Sequence, residues 1–354
     1  MTDSVLREDM SLCAKTLNDN GLLPALSGKT VFITGATGLI GSQMVRTLLE
    51  ANRLYDADIT VAAFIRNEQK AQAVFEDVLP NDKLEFVIGD LSRPVEYEKP
   101  VDYIVHGASP TGSKFFVESP VETIETAIYG TDRLLQFARD KQVSGMVYLS
   151  SLEVYGVPDG KNETISESDY GYIEPLSIRS SYSEGKRMVE CLCASYASEY
   201  GVPVKVARLS QTFGAGVEYH DGRVFAEFAR CLMEKKDIVL HTDGSTVRSY
   251  CYTADAVCAL YTILLKGENG EAYNVTNMDT ACSIREMAEL VAGLEPEAGV
   301  NVRIEIPEDI TSFGYNPQMI IRLDASKLKA LGYVPSVGME DMFRRTIRSM
   351  RERI

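Results

Sequence analysis

The chain has little of what a metal site or a membrane anchor needs. Its 354 residues include 7 cysteines, none of them arranged as Cys-x-x-Cys, and 3 histidines. The histidines, at positions 106, 220 and 241, are not spaced as a ligand pair, so the sequence predicts no zinc site or other metal site. No apolar run approaches the ~18 residues of a membrane-spanning helix, and the acidic amino terminus is unlike a secretory signal. We therefore expect a cytoplasmic protein.

Positive charge is also scarce. The 36 lysines and arginines are outnumbered by 51 aspartates and glutamates, which gives a net charge of −15. Phosphate backbones and anionic membranes repel such a chain, so neither nucleic acid nor a membrane is an expected partner. A small anionic ligand held in a local basic pocket stays compatible with this charge. Because 45% of the residues are hydrophobic, the chain can bury a sizeable core.

Short apolar segments alternate with longer amphipathic ones from residue 30 onward. The segments predicted as strands are Thr30–Thr34, Ile59–Ile65, Leu84–Ile88, Tyr103–His106, Gly145–Ser150 and Val204–Leu209. Helices are predicted between them, among others at Gly41–Ala51, Val121–Asp140 and Ser183–Glu199. Short strands alternating with helices are typical of parallel strands joined by helical crossovers, with both faces of the sheet covered. The predicted fold class is therefore α/β, with a doubly wound parallel sheet.

A glycine-rich turn follows the first predicted strand. Gly35, Gly38 and Gly41 recur at every third position between this strand and a helix. The first glycine allows a tight turn, the second lets the backbone approach a pyrophosphate, and the third lets the helix pack against the strand. An ordinary strand–helix turn would not need three glycines at this spacing. The pattern predicts a Rossmann-type NAD(P) site whose phosphates face helix amides, and the same turn contains Thr37, Leu39 and Ile40.

Three parts are predicted along the chain. Residues 1–28 form a helical extension, because the apolar residues between positions 3 and 20 fall mainly on one helical face. Residues 29–214 form the Rossmann domain that binds NAD(P). Residues 215–354, where the alternation weakens, form mainly a smaller substrate-binding lobe, with some segments expected to return to the main sheet.

The residues that follow the second and third strands bear on the choice of cofactor. Sites that prefer NAD usually have an acidic residue at the end of the second strand, where it binds the ribose hydroxyls. This chain has Arg66 and Asn67 there. Arg66 is suited to a 2′-phosphate, which favours NADP, although it can equally point to water or stack on the adenine. Asp90, which precedes Leu91, is a candidate acceptor for the adenine amino group or simply an acid in a turn.

A tyrosine, a lysine and a serine form a candidate catalytic set. Tyr182 and Lys186 are four residues apart at the start of a predicted helix, so both project from the same face. A phenol with a pKa of ~10 is a poor base at neutral pH, and we expect the nearby ammonium to lower that pKa. Ser151, at the end of a strand, is placed to hydrogen-bond the same substrate oxygen. The set is suited to removing a proton from an alcohol while a hydride leaves to nicotinamide.

These motifs and several longer segments together identify a family. The segments are His106–Pro110, Ser150–Gly156, Arg179–Arg187, Gln211–Gly214, Asp221–Val224 and Val247–Tyr250. From residue 29 to the carboxyl terminus the chain resembles the extended short-chain dehydrogenases/reductases, and among them the epimerase/dehydratase group that acts on nucleotide sugars. Within that group it is most similar to UDP-glucuronate decarboxylases.

The resemblance implies further site residues and a partner. Ala108 and Ser109 would contact the cofactor, and the residues implied for substrate binding are Pro110, Gln211, Arg223 and Arg248. Guanidinium groups bind phosphate oxygens in pairs, which suits the diphosphate of a nucleotide sugar; the alternative is that both arginines form surface salt bridges. Family members dimerise through a four-helix bundle, to which the helices around 121–140 and 183–199 would contribute.

The resemblance also narrows the reaction. The shared first step is oxidation of a sugar hydroxyl, typically at C4. Leu152 stands where 4,6-dehydratases have a proton-donating aspartate, so dehydration is disfavoured. Glu153 matches a glutamate of the decarboxylases and would manage a proton at C5 or orient the sugar, unless it is only a buried acid bonded to loop amides. Ala127 and Gln211 depart from the asparagines usual at their positions.

Three classes of function are compatible with these residues. The first is a nucleotide-sugar enzyme that oxidises the sugar, decarboxylates or epimerises it, and reduces it again. The second is an NADPH-dependent reductase of a ketosugar or another carbonyl compound, which Arg66 supports. The third, a non-catalytic NAD(P)-binding protein, is disfavoured because Ser151, Tyr182 and Lys186 are all present.

Overall fold

The computed structural model describes residues 3–110, 112–160, 162–307 and 320–354. Met1 and Thr2 of the predicted extension and residues 308–319 of the predicted lobe lie outside this part. The described strands are β1 (Thr30–Thr34), β2 (Thr60–Ile65), β3 (Leu84–Ile88), β4 (Tyr103–His106), β5 (Gly145–Ser151), β6 (Val204–Leu209), β7 (Gln211–Phe213), β8 (Ile238–Leu240), β9 (Val247–Tyr252), β10 (Ala272–Val275), β11 (Asn277–Ser283) and β12 (Val302–Ile304).

The helices of the same part differ widely in length. They are α1 (Ser4–Asp19), α2 (Leu23–Leu26), α3 (Leu39–Tyr55), α4 (Glu68–Val74), α5 (Ser113–Glu118), α6 (Pro120–Lys141), α7 (Ser180–Tyr200), α8 (Val224–Met233), α9 (Thr253–Lys266), α10 (Ile284–Gly293), α11 (Ser326–Ala330) and α12 (Met339–Arg353). None of the helices in the described ranges is long and apolar enough to cross a membrane.

Seven parallel strands form the main sheet, in the order β10-β6-β5-β4-β1-β2-β3. The strand order reverses between β1 and β4, so the crossovers from these two strands diverge and leave a crevice at their carboxyl ends. Ligands of doubly wound sheets bind at such a reversal. The predicted α/β fold class with a doubly wound parallel sheet is confirmed.

Both faces of this sheet are buried, as the near-continuous apolar strands predict. Alternate residues of β1 point in opposite directions: Val31 and Ile33 belong to a core that includes side chains of α1, α3 and α9. Phe32, on the other face, belongs to a second core with side chains of α6 and α7. The catalytic candidates on β5 and α7 are thus attached to a rigid, packed layer.

The carboxy-terminal part builds two small sheets and returns one strand to the main sheet. The strands β11, β9 and β7 form a three-stranded sheet, and β12 pairs with β8. β10 pairs with β6 at the edge of the main sheet. Because β7 pairs with β9, Gln211 lies beside Tyr250, two residues from Arg248.

The amino-terminal helix is joined to the rest of the fold by buried polar contacts. Asp9 of α1 is almost fully buried and accepts hydrogen bonds from the Tyr252 hydroxyl at 2.6 Å and from Arg345 of α12 at 2.5 Å. Asp3 accepts a hydrogen bond from Ser349 of α12 at 2.5 Å. The extension is therefore an integral layer of the fold, packed against α3, α9 and α12.

Candidate active site

The glycine turn has a geometry that only glycine allows at two positions. Gly35 has φ +68°, and a Cβ there would lie 2.6 Å from the carbonyl carbon of Gly107. A Cβ on Gly41 would lie 2.2 Å from the oxygen of Gly35, so α3 packs tightly on the turn. Gly38 precedes α3 and offers no side chain to its first amides, which have no intrahelical acceptor. The turn therefore fits the pyrophosphate of a dinucleotide; Thr37, Leu39 and Ile40 are partly exposed along it.

Two residues that are predicted to lie near the adenine, Arg66 and Asp90, are close together in the structure. The guanidinium of Arg66 is 78% exposed, and its Nη1 lies 4.0 Å from Oδ2 of Asp90. Asp90 also accepts a 2.7 Å hydrogen bond from the Ser92 amide, and this bond lowers the pKa of its carboxyl group. Asn67 caps α4 by accepting from the Lys70 amide at 2.9 Å. Leu91 is buried under α6.

A buried histidine at the end of β4 anchors the loop that follows this strand. His106 lies between the hydroxyls of Thr34, 2.8 Å from its Nδ1, and Thr131, 2.9 Å from its Nε2. The same Thr34 hydroxyl accepts from the Ala108 amide at 3.2 Å. The next two predicted residues, Ser109 and Pro110, are partly exposed at the mouth of the crevice.

The predicted catalytic trio converges where β5 meets the first turn of α7. The Ser151 side chain, at the end of β5, is close enough to the Tyr182 phenol to lower its pKa. One turn along α7, Nζ of Lys186 lies 5.7 Å from the centre of the Tyr182 ring and donates to the Leu149 carbonyl at 2.8 Å. Phe116 of α5 stacks on Tyr182 with the ring centres 4.2 Å apart. All three predicted side chains thus share one site, and the stacking by Phe116 fixes the plane of the phenol.

One electrostatic expectation is wrong for the polypeptide by itself. Burial raises the pKa of Tyr182, with a further contribution from Glu153, and the nearby Ser151 hydroxyl and the Arg179 charge only partly oppose this rise. Burial also lowers the pKa of Lys186 to about 7. Removing a charged group from water disfavours its charged form, and Lys186 is not among the groups that offset this effect at Tyr182.

Glu153 is paired with charged and polar groups. Its Oε1 accepts from Arg179 at 2.9 Å and its Oε2 accepts from the Ser183 hydroxyl at 3.1 Å. No loop amide of the described residues donates to it, in contrast to the alternative interpretation. Leu152, by contrast, packs in a small apolar core away from these groups, so no acid stands at its position.

The two predicted phosphate-binding arginines differ sharply. Arg223 is half-exposed and forms an ion pair with Asp221 at 2.5 Å, as the surface salt-bridge alternative proposed. Arg248 is buried, and its Nη1 has no hydrogen-bond partner among the residues that the structure describes. Burial lowers the pKa of Arg248, and Glu153 opposes this effect. A buried guanidinium nitrogen without an acceptor is costly unless a ligand binds it.

Several residues at the site were not identified from the sequence. Phe116 and Arg179 lie against Tyr182 and Glu153, and Arg179 also stacks over the Phe116 ring, 5.1 Å from its centre. Glu190 and Arg208 form a buried ion pair behind Lys186. Two signals were available: Glu190 follows Lys186 by four residues, and Arg208 is a charge in an otherwise apolar strand core.

Comparison with known proteins identifies the family of this chain and agrees with the fold and the glycine turn described above. A model of the NAD-dependent epimerase/dehydratase family matches residues 31–276. The chain belongs to this family. It is 31% identical over 320 residues to UDP-glucuronic acid decarboxylase 6 of Arabidopsis thaliana, covering 89% of this chain and 87% of that protein. UDP-glucuronic acid decarboxylase 1 of Danio rerio is 30% identical over 322 residues, which cover 90% and 72% of the two chains.

Two solved structures show the same fold. The dTDP-glucose 4,6-dehydratase DesIV of Streptomyces venezuelae, determined with NAD and TYD bound, is 26% identical and superposes with a TM-score of 0.73. The match covers 91% of this chain and 97% of DesIV. Pal from Bacillus thuringiensis superposes with a TM-score of 0.75 at 23% identity, over 92% and 100% of the two chains.

Proposed function

We propose that the chain binds NAD(P) and a nucleoside-diphosphate hexuronate, oxidises the sugar at C4 and then removes the C5 carboxylate as CO₂. The bound nicotinamide would accept the hydride from the sugar carbon and return it at the end of the cycle. The similarity to UDP-glucuronic acid decarboxylases over most of the chain supports this reaction class. The observation that carries the proposal is the buried Arg248 guanidinium group, whose Nη1 lacks a partner within the described part of the chain.

The charge balance around Glu153 supports an anionic substrate. Arg179 and Arg248 supply two positive charges, and Glu153 supplies one negative charge, so the cluster has an excess of one positive charge. A substrate carboxylate or phosphate would neutralise this excess and satisfy Arg248. The cost of burying the guanidinium group would then be offset by substrate binding, since hydrogen bonds to charged groups contribute about 1.5–3 kcal/mol.

The roles of the chain's own residues follow from their contacts. Tyr182 would take the proton of the C4 hydroxyl, with Ser151 bonded to the same oxygen and Lys186 stabilising the phenolate. The resulting 4-keto group turns the C5 carboxylate into a β-keto acid, which loses CO₂ readily. Arg179 holds Glu153 through an ion pair, and Glu153 would orient the sugar and manage the proton at C5.

Incubation with a panel of nucleotide sugars and mass detection of the products tests the reaction. We expect UDP-glucuronate to lose the mass of CO₂. Unchanged mass with altered retention would indicate epimerisation, a gain of two hydrogens would indicate a reductase, and conversion of no member would refute the proposal. Arg248→Met should weaken nucleotide-sugar binding by roughly 10- to 100-fold, whereas Arg285→Met, at an exposed arginine of α10, should leave it unchanged.

We further propose NADP as the preferred form of the cofactor. Arg66 is exposed beside the expected ribose position, and the second strand is followed by Arg66 and Asn67 instead of an acid. The guanidinium group can bind a 2′-phosphate while staying close to Asp90. Paired titrations with NAD and NADP test this preference.

A homodimer is the proposed assembly. The helices α6 and α7 pack against each other and leave apolar side chains exposed, namely those of Val121, Tyr129 and Met188. Pairing the same surface of a second copy would complete a four-helix bundle and bury them. Sedimentation of the wild type against Tyr129→Asp tests this arrangement, since a charge at this surface should yield monomers; a monomeric wild type would refute it.

A further inference from the structure

A buried carboxylate lies directly behind the candidate catalytic lysine. Glu190 stands one helical turn after Lys186 on α7, so the two side chains are neighbours on the same helix face. Its Oε1 accepts from the Ser150 hydroxyl at 2.5 Å. The Arg208 guanidinium group donates to Glu190 from Nε at 3.1 Å and from Nη2 at 2.7 Å. The carboxylate is thus saturated with donors that favour its ionised form.

These bonds connect the carboxylate to the strand end that carries the catalytic serine. Ser150 of β5 lies beside Arg208 of β6 in the parallel register, and Ser150 is the residue before Ser151. Glu190 therefore joins α7 to both strands. Arg208 is itself held by the Tyr155 hydroxyl at 3.0 Å and the Tyr170 hydroxyl at 2.6 Å, so the ion pair has little freedom to move.

Among the described residues, the other neighbours of Lys186 are groups whose neutral forms are favoured. Its ammonium group lies 4.6 Å from the centre of the Tyr148 ring on β5 and donates to the Leu149 carbonyl. From β4 it faces His106, whose neutral form is favoured by burial and then by the charge of Lys186. Within α7 its remaining titratable neighbours are Tyr182 and the thiol of Cys193, which burial keeps protonated.

We propose that the carboxylate of Glu190, held in place by Arg208, favours the charged form of Lys186, and that Glu190 thereby acts as a positioning residue for the Tyr182–Lys186 pair. This inference rests on the proposed function, in which the ammonium group stabilises the Tyr182 phenolate. The electrostatics around Lys186 also support the inference. Burial lowers the pKa of Lys186, and Glu190 is the strongest of the groups that oppose this lowering.

The replacement Glu190→Gln removes the charge and keeps a side chain of the same length. Arg208 then loses its anionic partner, and its positive charge also disfavours the Lys186 ammonium. We expect the pKa of Lys186 to fall by about one unit or more, and the alkaline limb of the pH–activity profile to move to lower pH with it. Ser150→Ala is the matched control, since it removes one bond to Glu190 and retains the carboxylate.

The titration of Lys186 can be measured without turnover. NMR of protein labelled with [ε-13C]lysine, assigned with Lys186→Arg, reports the pKa of Lys186 whether or not a nucleotide sugar is converted. The inference is supported if this pKa falls in Glu190→Gln but not in Ser150→Ala, and it is overturned if Glu190→Gln leaves the pKa unchanged. If that variant does not fold, Arg208→Gln removes the repelling guanidinium group and retains the carboxylate, so the pKa of Lys186 should rise, and an unchanged pKa there has the same consequence.

Discussion

A methyl group added at Gly35 should damage both the fold and the cofactor site. Two costs combine at this position. The backbone has φ +68°, where an L-residue other than glycine loses about 1–2 kcal/mol. The new Cβ would also lie 2.6–2.8 Å from three backbone atoms of Gly107 and Ala108, and overpacking of this kind costs typically about 1–3 kcal/mol. We therefore expect Gly35→Ala to lower the free energy of unfolding by about 2–5 kcal/mol.

A second glycine separates the two costs. Gly28, just before β1, has φ +71° and nothing within 4 Å of an added Cβ. Gly28→Ala should therefore cost only the conformational part, about 1–2 kcal/mol. Urea unfolding of the two variants compares the free energies, and fluorescence titration with NAD(P)H compares the affinities for the cofactor.

The cofactor titration is the more specific measurement. The clash at Gly35 must be relieved by moving the first turn away from the loop after β4, and both segments border the expected pyrophosphate position. Gly35→Ala should therefore bind the dinucleotide more weakly, whereas Gly28→Ala should bind it as the wild type does. Equal losses of stability and equal affinities in the two variants would refute this account of the turn.

Three further predictions concern the catalytic tyrosine, the choice of cofactor and a buried histidine. Tyr182→Phe should abolish turnover and leave cofactor affinity nearly intact, while Tyr196→Phe, farther along α7, should retain activity; normal turnover of Tyr182→Phe would remove that phenol from the mechanism. Arg66→Ala should weaken NADP binding by roughly tenfold or more without affecting NAD, so a wild type that prefers NAD would contradict the assignment. Burial, aided by the charge of Lys186, lowers the pKa of His106 to about 3, below the ~6.5 of an unfolded histidine. The neutral ring therefore contributes stability that is complete above pH ~6.5 and is lost as the pH falls toward 3. The advantage of the wild type over His106→Gln in urea unfolding should shrink by up to about 2 kcal/mol between pH 7 and pH 5; a constant difference would mean that this ring is not buried neutral.

The amino-acid sequence by itself determined the sheet and the cofactor turn. Strand β1 and the three glycines after it can be recognised from local sequence. Side chains alternate between the two faces of a strand with a period of two residues, and glycine is the residue that adopts a positive φ in a tight turn. For the same reason the predicted strands Thr30–Thr34, Leu84–Ile88, Tyr103–His106 and Val204–Leu209 have the observed ends. The helix with Tyr182 and Lys186 in its first two turns was equally predictable, because four-residue spacing is a property of the helix itself.

Only the tertiary structure decided which charges are paired and which are buried. Arg223 and Arg248 are indistinguishable as residue types, yet one forms an ion pair with a carboxylate two residues away and the other is buried on β9, opposite Cys282 of β11. The pKa of Tyr182 and the ion pair between Glu190 and Arg208 likewise depend on segments that the chain brings together from far apart. Desolvation and Coulomb attraction depend on distances in the folded structure. The sequence therefore gives the residue types, but it does not give the burial that decides which of them are charged.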